Sequence, residues 1–530
     1  MRYRVRVLAA SALALSLAVA GCAKNTGSNS NTNTGPQKQA AIEIDKEGKT
    51  PTPAPEVPGA KPGGTLSWLE EAAPEHLDPQ QAYVSDAQSI MSLFYRTLTN
   101  YIEDPKGGPL KLVGDLATNT GESSDGDKKW TYHLRAGVKF EDGSPITSKD
   151  VAYGISRSMG KYGVHGPQYW KQALDPDGKF KPDGGAISPA IATPDDKTIV
   201  FTFPEAHAET PFIAALNTTT PVPAAKDTGD KYEAEFISMG PYMRDGTYDQ
   251  QTKLTLKKNP NWDPKTDPIR HQYADKWIFD FTPDRATQTQ RLIADQGADQ
   301  GAIMVANVAQ ASIAQVQNDP VLSKRTISGV GSFVDYLSIN TSRVKDLKVR
   351  QAINYAFDRG AYVTAVGGSA VAQPATALMS PTLPGYKKYD AYPSADGHGD
   401  DRSTYYDTIG EKTTTCDVMR YGWSADYPDP SSTLNVLWNG KNIVEKGNQN
   451  VSYLNEPELN SKLDALQKEP DRAAAADKYG ELDKEMMEKY APVVPNYDIG
   501  VFLLRGSKVG GTFLSPLFAN ANLVDAYYTG

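Results

Sequence analysis

From Trp130 to Leu134 apolar and polar side chains alternate, the pattern of a half-buried strand, and EDGSP a few residues on predicts a turn. Thr147-Ser148-Lys149-Asp150 then has the order of a capping box, so a helix is predicted to begin there. GGTLSW (Gly63 to Trp68), DKTIVFTFPE and TKLTLKKNPNW predict further strands, the last ending in an Asn-Pro turn. EHLDPQQAY predicts a turn entering a helix that runs through SIMSLFYRTL, with Leu93, Phe94 and Leu98 on one face. DKWIFDFTPDRATQTQRLIADQGADQGAI reads as strand, helix, strand. From residue 333, FVDYLSINTSRVKDLKVRQAINYAFDRGAYV predicts a strand, a turn and a helix with Val349, Ile353, Ala356 and Phe357 facing inward. LNSKLDALQKEPDRAAAADKYGELDKEMMEKYAPVVPNYDIGVFLL predicts two helices and a return strand stiffened by Pro492 and Pro495. These alternations make an α/β chain.

The first residues break this pattern. Arg2, Arg4 and Arg6 precede an apolar and small-residue run from Val7 to Ala20, too short for a good membrane span, and small residues lead into Cys22. This is an export signal over residues 1–21. Val19-Ala20-Gly21-Cys22 resembles a bacterial lipobox, which implies cleavage before Cys22 and lipid on that residue. Residues 22–62 are polar and rich in Asn, Thr, Gly and Pro, and predict a disordered tether of about forty residues. Anchor and tether place the folded part outside the cytoplasmic membrane, at its surface.

The remaining residues exceed one usual core, so at least two lobes are expected. The net charge of −9 falls to −12 once the three signal arginines are removed, and no dense Lys/Arg block is present, which argues against a nucleic-acid partner. With Cys22 acylated only Cys416 remains, so no internal disulfide is expected. There is no HExxH, the six histidines show no ligand-like spacing, and the Gly121–Gly126 stretch lacks the Lys-Ser or Lys-Thr of a phosphate loop; no catalytic residue, metal or cofactor is expected.

Four stretches in order, "LVGDLATNTGESSDGDKKWTYHLRAGVKFEDGSPITSKDVAYGISRS", "SMGPYMRDGTYDQQTKLTLKKNPNW", "INTSRVKDLKVRQAINYAFDRGAYV" and "GWSADYPDP", resemble the peptide-type extracytoplasmic solute-binding proteins, the oligopeptide and dipeptide receptors of ABC importers. The resemblance implies a type II periplasmic-binding-protein-like fold of two α/β lobes that close over a ligand. Lobe I is expected over 63–332 with an extra subdomain at about 88–203, lobe II over 333–491, and a return to lobe I over 492–530. It also implies a monomeric lipoprotein that captures peptides and passes them to membrane permease subunits. A receptor for another small solute, a glycoside or metal chelate, is the alternative inside the class; an envelope hydrolase, or a sensory lipoprotein feeding no importer, are those outside it.

The same resemblance gives "GWSADYPDP" (422–430) its chemistry. Asp426 stands where relatives often carry a carboxylate that pairs with the ligand's α-ammonium, beside an aromatic wall at Trp423. A desolvated cation needs such a partner, and an indole adds apolar area and a cation–π surface. The backbone at Ser424 would hydrogen-bond an extended peptide as an added strand. Residues Trp423, Ser424, Asp426 and Tyr427 are therefore the candidate ligand-binding set. The bland alternatives are that Asp426 caps the turn made by Pro428-Asp429-Pro430 and that Trp423 is core, while Tyr427 is open between cleft and lobe interior. In one place the chain departs from its relatives: between Pro384-Gly385-Tyr386 and the strand from Cys416 several dozen residues are missing, with an apparent junction near Asp400-Asp401. The expected consequence is a second lobe short of a strand–helix–strand unit, with an exposed sheet edge, loose apolar helix faces and impaired binding.

Overall fold

The computed structural model describes residues 42–182, 185–393, 416–445 and 447–530. The export signal, Cys22 and the junction near Asp400-Asp401 lie outside these residues. Among the described residues no helix is long and apolar enough to cross a membrane.

A short sheet places β1 (Ile42–Ile44) parallel to β4 (Leu110–Gly114), which pairs antiparallel with β3 (Thr99–Ile102). The main sheet of the first lobe has the order β12-β2-β11-β10-β9, with β2 (Thr65–Leu69), β9 (Tyr242–Arg244), β10 (Lys253–Lys258), β11 (Lys276–Asp280) and β12 (Ala302–Met304). Here the strand–helix–strand reading holds: helix Arg285–Ala294 joins β11 to β12, and both lie parallel to β2. Strict alternation fixes the registers. Leu254, Leu256, Trp277 and Phe279 are fully buried while Lys253 and Lys257 face solvent, and each large apolar side chain removed from water contributes about 1.5–3 kcal/mol. A separate antiparallel sheet, β5-β6-β8-β7, is built from β5 (Glu122–Ser124), β6 (Lys129–His133), β7 (Ile191–Asp195) and β8 (Thr198–Thr202). Beside it run α2 (Ser148–Ser158), which starts at Thr147 as its sequence predicts, and α3 (Tyr169–Leu174). The Asp150 carboxylate reaches back to the Thr147 N–H at 2.8 Å.

The second lobe is centred on a four-stranded sheet of order β14-β16-β13-β15, with β13 (Thr326–Ile339), β14 (Ala372–Pro374), β15 (Val418–Ser424) and β16 (Val493–Leu504). Helices Ser431–Trp438, Pro457–Gln467 and Arg472–Tyr490 pack on it. β13 and β16 run through both cores. Ile327 and Val501 to Leu504 pack with the first, whereas Val334, Tyr336 and Val493 pack with the second. Their pairing is irregular between Val330 and Val334, where the ribbon passes from one core to the other. Gly331 sits in this stretch, and a Cβ there would meet Ile499 Cγ2 at 2.6 Å, so only glycine lets the strands approach so closely. A second irregularity falls where Tyr336 faces Pro495, a residue with no N–H to give the ladder.

Three expectations are corrected. Residues 42–62 are not tether: β1 pairs with β4, the Ala54 N–H donates to Asp267 O, Val57 N–H donates to the Tyr273 hydroxyl, and Ala54 is buried. Composition hid this because the segment gains its order from partners far along the chain. The helix expected through Leu98 ends early, α1 spanning only Ser85–Met91, because the Phe94 carbonyl accepts from Met239 and Gly240 instead of continuing the helix. Leu93, Phe94 and Leu98 are fully buried nonetheless. Helix Leu347–Ala356 is rotated from the expected face: Arg350 and Asn354 are buried, donating to Tyr490 O and Val493 O, while Val349 and Ala356 are exposed; Ile353 is half-buried against the core and Phe357, past the helix end, is buried as expected. That apolar face and the edge position of β15 are where a shortened second lobe would leave its marks.

Candidate ligand site

β15 carries Tyr421, Gly422, Trp423 and Ser424 to the end of the second sheet, and the chain then turns through Asp426 into helix Ser431–Trp438. Local chemistry fixes this turn. Asp429 Oδ1 accepts from the Ser431 N–H and hydroxyl at 2.9 and 2.7 Å, and the Asp429 carboxylate is held by Arg472 through Nη2 at 2.8 Å and Nε at 3.0 Å. Asp429, not Asp426, is the turn residue. Asp426 is thereby freed from local duty and projects toward the first lobe.

A cavity of about 1400 Å³ lies between the lobes. It exceeds the roughly 300–1,000 Å³ of sites for drug-sized ligands. Its walls include Tyr83, Tyr95 and Glu103 from the first lobe, and Phe333, Trp423 and Asp426 from the second. Asp426 Oδ2 accepts hydrogen bonds from the hydroxyls of Tyr83, at 3.0 Å, and Tyr169, both first-lobe residues. Oδ1 accepts none from the described residues. Burial pushes the Asp426 carboxyl up to about 7, with the two tyrosine hydrogen bonds pulling the other way, and among the described residues no Lys or Arg contributes. The carboxylate therefore keeps one oxygen for a donor arriving in the cavity and has no cation partner among the described residues.

Ser424 lines the cavity, its Oγ 2.6 Å from Ser332 Oγ and its backbone at the end of the edge strand β15. Trp423 also lines it but is largely core: its Nε1 donates to Ser432 O at 2.9 Å, and its ring meets Tyr83 edge-on at 5.9 Å. Gly422 is required because a side chain there would run into the Phe333 ring. Tyr427 is corrected. It is buried, stacked on Phe212 at 6.0 Å and edge-on to Tyr169 at 5.4 Å, with its hydroxyl on Ser431, and is not part of the cavity wall. Apolar neighbours from the first lobe outcompete the cleft for its ring.

Sequence reading missed Tyr83, Tyr169 and Glu103. Glu103 Oε1 accepts from Ser515 Oγ at 3.0 Å, Oε2 has no partner among the described residues, and burial pushes this carboxyl up to about 7 as well. It also missed that Ala54 to Pro58, assigned to the tether, line the cavity. No periodic signal marks any of these positions, since each matters only through a neighbour hundreds of residues away.

A family model described as bacterial extracellular solute-binding proteins, family 5 Middle, matches residues 111–408. The chain is 26% identical over 353 residues to the dipeptide-binding protein of Escherichia coli (strain K12), covering 61% of this chain and 59% of that protein's length. It is 24% identical over 506 residues to heme-binding protein A of Haemophilus influenzae, covering 79% of this chain and 84% of that protein. Among solved structures, the clavulanic acid biosynthesis oligopeptide binding protein 2 superposes with a TM-score of 0.80 at 26% identity, over 93% of this chain and 99% of that one. The Escherichia coli murein tripeptide binding protein MppA superposes with a TM-score of 0.71 at 19% identity, over 89% and 99%, a likeness of fold.

Proposed function

This chain belongs to the bacterial extracellular solute-binding proteins, family 5, and from that premise we propose that it captures peptides between its lobes and delivers them to the permease of an ABC importer. Asp426 receives the peptide's α-ammonium on Oδ1 while Tyr83 and Tyr169 hold Oδ2. Trp423 and Phe333 supply flat apolar wall, and the backbone at Ser424 adds strand-like hydrogen bonds that read main chain without reading sequence. Glu103 offers a second acceptor to a polar or cationic group deeper in the ligand. The observation that carries this reading is a half-buried carboxylate with a free oxygen, facing a peptide-sized cavity, with no cation supplied by the described residues.

Closure follows as a population shift. Tyr83 and Tyr169 sit on one lobe and Asp426 on the other, so a ligand touching both favours the closed form by its differential affinity. The β13–β16 ribbon, irregular at Val330–Val334, is the hinge. The lipid anchor at Cys22 keeps the receptor beside the permease. The account is tested by titrating short peptides and their N-acetylated forms into the purified protein: acetylation is expected to abolish measurable binding, and equal affinity for both forms would sink the ammonium role.

A further inference from the structure

Glu75, His76 and His165 lie together on the wall of the same cavity, with one ligand atom from each within 4.8 Å of the others. The two imidazoles are far apart in the sequence, so spacing gave no sign of them, yet their ring centroids are 5.1 Å apart. His76 Nδ1 is bound to Glu233 Oε2 at 2.6 Å, which fixes the ring and directs Nε2 the other way. Nε2 is buried and has no hydrogen-bond partner among the described residues, and Glu75 Oε1 is 3.9 Å from it. A buried ring nitrogen without a partner is costly unless something binds it.

We propose that His76 Nε2, His165 and Glu75 form a binding site for a divalent transition-metal ion of the imidazole-preferring class, Zn²⁺, Ni²⁺ or Cu²⁺, at the rim of the ligand cavity. The donor set of two imidazoles and a carboxylate suits these ions. Glu233 plays the outer carboxylate that orients a metal-bound histidine and raises its basicity. Ligand atoms around a tetrahedral zinc stand about 3.4 Å apart for bonds near 2.1 Å, so the set must contract on binding. The exposed Glu75 and His165 side chains can swing in while His76 stays fixed. Three protein ligands leave a coordination position open toward the cavity, for water or for a carboxylate or sulfur donor of a captured solute.

The site does not rest on peptide capture by Asp426 and is tested apart from it. The full mature chain, stripped with chelator, is titrated with Zn²⁺ alone and followed by calorimetry and by metal analysis after gel filtration. One ion per chain with a micromolar or tighter dissociation constant is expected, with X-ray absorption showing two imidazole nitrogens. His165→Ala, on an exposed loop and so harmless to folding, is expected to weaken binding at least about tenfold, and His76→Ala similarly, while His133→Ala on β6 leaves it unchanged. Absence of saturable binding, or equal binding by wild type and His165→Ala, overturns the proposal and leaves the Asp426 account as it stands.

Discussion

Two sets of carboxylates in this molecule, one fully buried and one half-buried at the cavity wall, solve the same problem in opposite ways. In the first lobe Asp115 and Asp267 are fully buried between Arg96 and Arg270: Arg96 Nε is 2.8 Å from Asp115 Oδ1, Arg270 Nη2 is 2.9 Å from Asp115 Oδ2, and Arg270 Nη1 is 3.3 Å from Asp267 Oδ2. Burial alone would raise Asp267, but the two guanidinium groups and the backbone N–H donors of Arg270 and Ile269 hold it well below the usual carboxylate range. At the cavity, burial acts on Asp426 with only two neutral hydroxyls in opposition, and its carboxyl is raised. A protein that buries an acid with its own cations has built structure. An acid withdrawn from water without them, at a cavity wall and with one oxygen unbonded, has room for a cation from outside; Asp483, buried with no cation among the described residues but held by two backbone N–H groups and the Tyr389 hydroxyl away from the cavity, has none.

The largest expected effect tests the structural side of this contrast. Arg270→Met leaves two buried carboxylates with one guanidinium, and is expected to cost about 3–5 kcal/mol of stability in urea unfolding, while Asp426→Asn is expected to cost none at about pH 7 and to stabilise the ligand-free protein, because it removes a charge held out of water and its amide oxygen still accepts from the tyrosines. Similar losses from both would erase the distinction. For peptide binding the order reverses: Asp426→Asn is expected to lose about 2–5 kcal/mol of affinity, roughly thirty- to several-thousand-fold in Kd by calorimetry.

Protonation sharpens the same point. With the empty site raised to about 7 and a bound ammonium drawing it down, peptide binding requires the ionised carboxylate. Affinity is therefore greatest between about pH 7 and the α-ammonium's own pKa near about 8; it falls about tenfold per unit below this window as Asp426 protonates, a slope that Asp426→Asn removes, and falls above it as the ammonium loses its proton. In the absence of peptide the sign for folding is opposite. The folded pKa is above the unfolded one, so this group's contribution to stability is fully present below about pH 4 and is lost as pH rises through 7. The smallest effect belongs to Tyr83→Phe, which deletes one hydroxyl from Oδ2. It is expected to weaken peptide binding by about 0.5–1.5 kcal/mol and to move the midpoint of the pH profile upward.

What the sequence disclosed depended on whether the controlling interaction was local. The strands with strict alternation, the helix beginning at Thr147 and the strand–helix–strand unit over 276–304 were legible because periodicity and end signals reside in the segment itself. The order of residues 42–62 was not, since β4, Asp267 and Tyr273 supply it. Helix Leu347–Ala356 misled because Arg350 and Asn354 found backbone carbonyls to satisfy, which no apolar pattern foretells. At the site, resemblance singled out Asp426, while the two hydroxyls that set its charge state came from Tyr83 and Tyr169, in an otherwise unmarked stretch of the other lobe. Tyr427 was drawn into the candidate set by its neighbours in sequence and removed from it by Phe212.

Proton release on ligand binding tests the central claim most directly. A peptide with a free N-terminus is titrated at pH 6.5 in buffers of different ionisation enthalpy, so that the heat reports protons exchanged. With a carboxyl near 7 in the empty site, about 0.7 proton per peptide is expected to leave the wild-type protein and none to leave Asp426→Asn. Binding without proton release in the wild type would mean that Asp426 does not meet the ligand's cation.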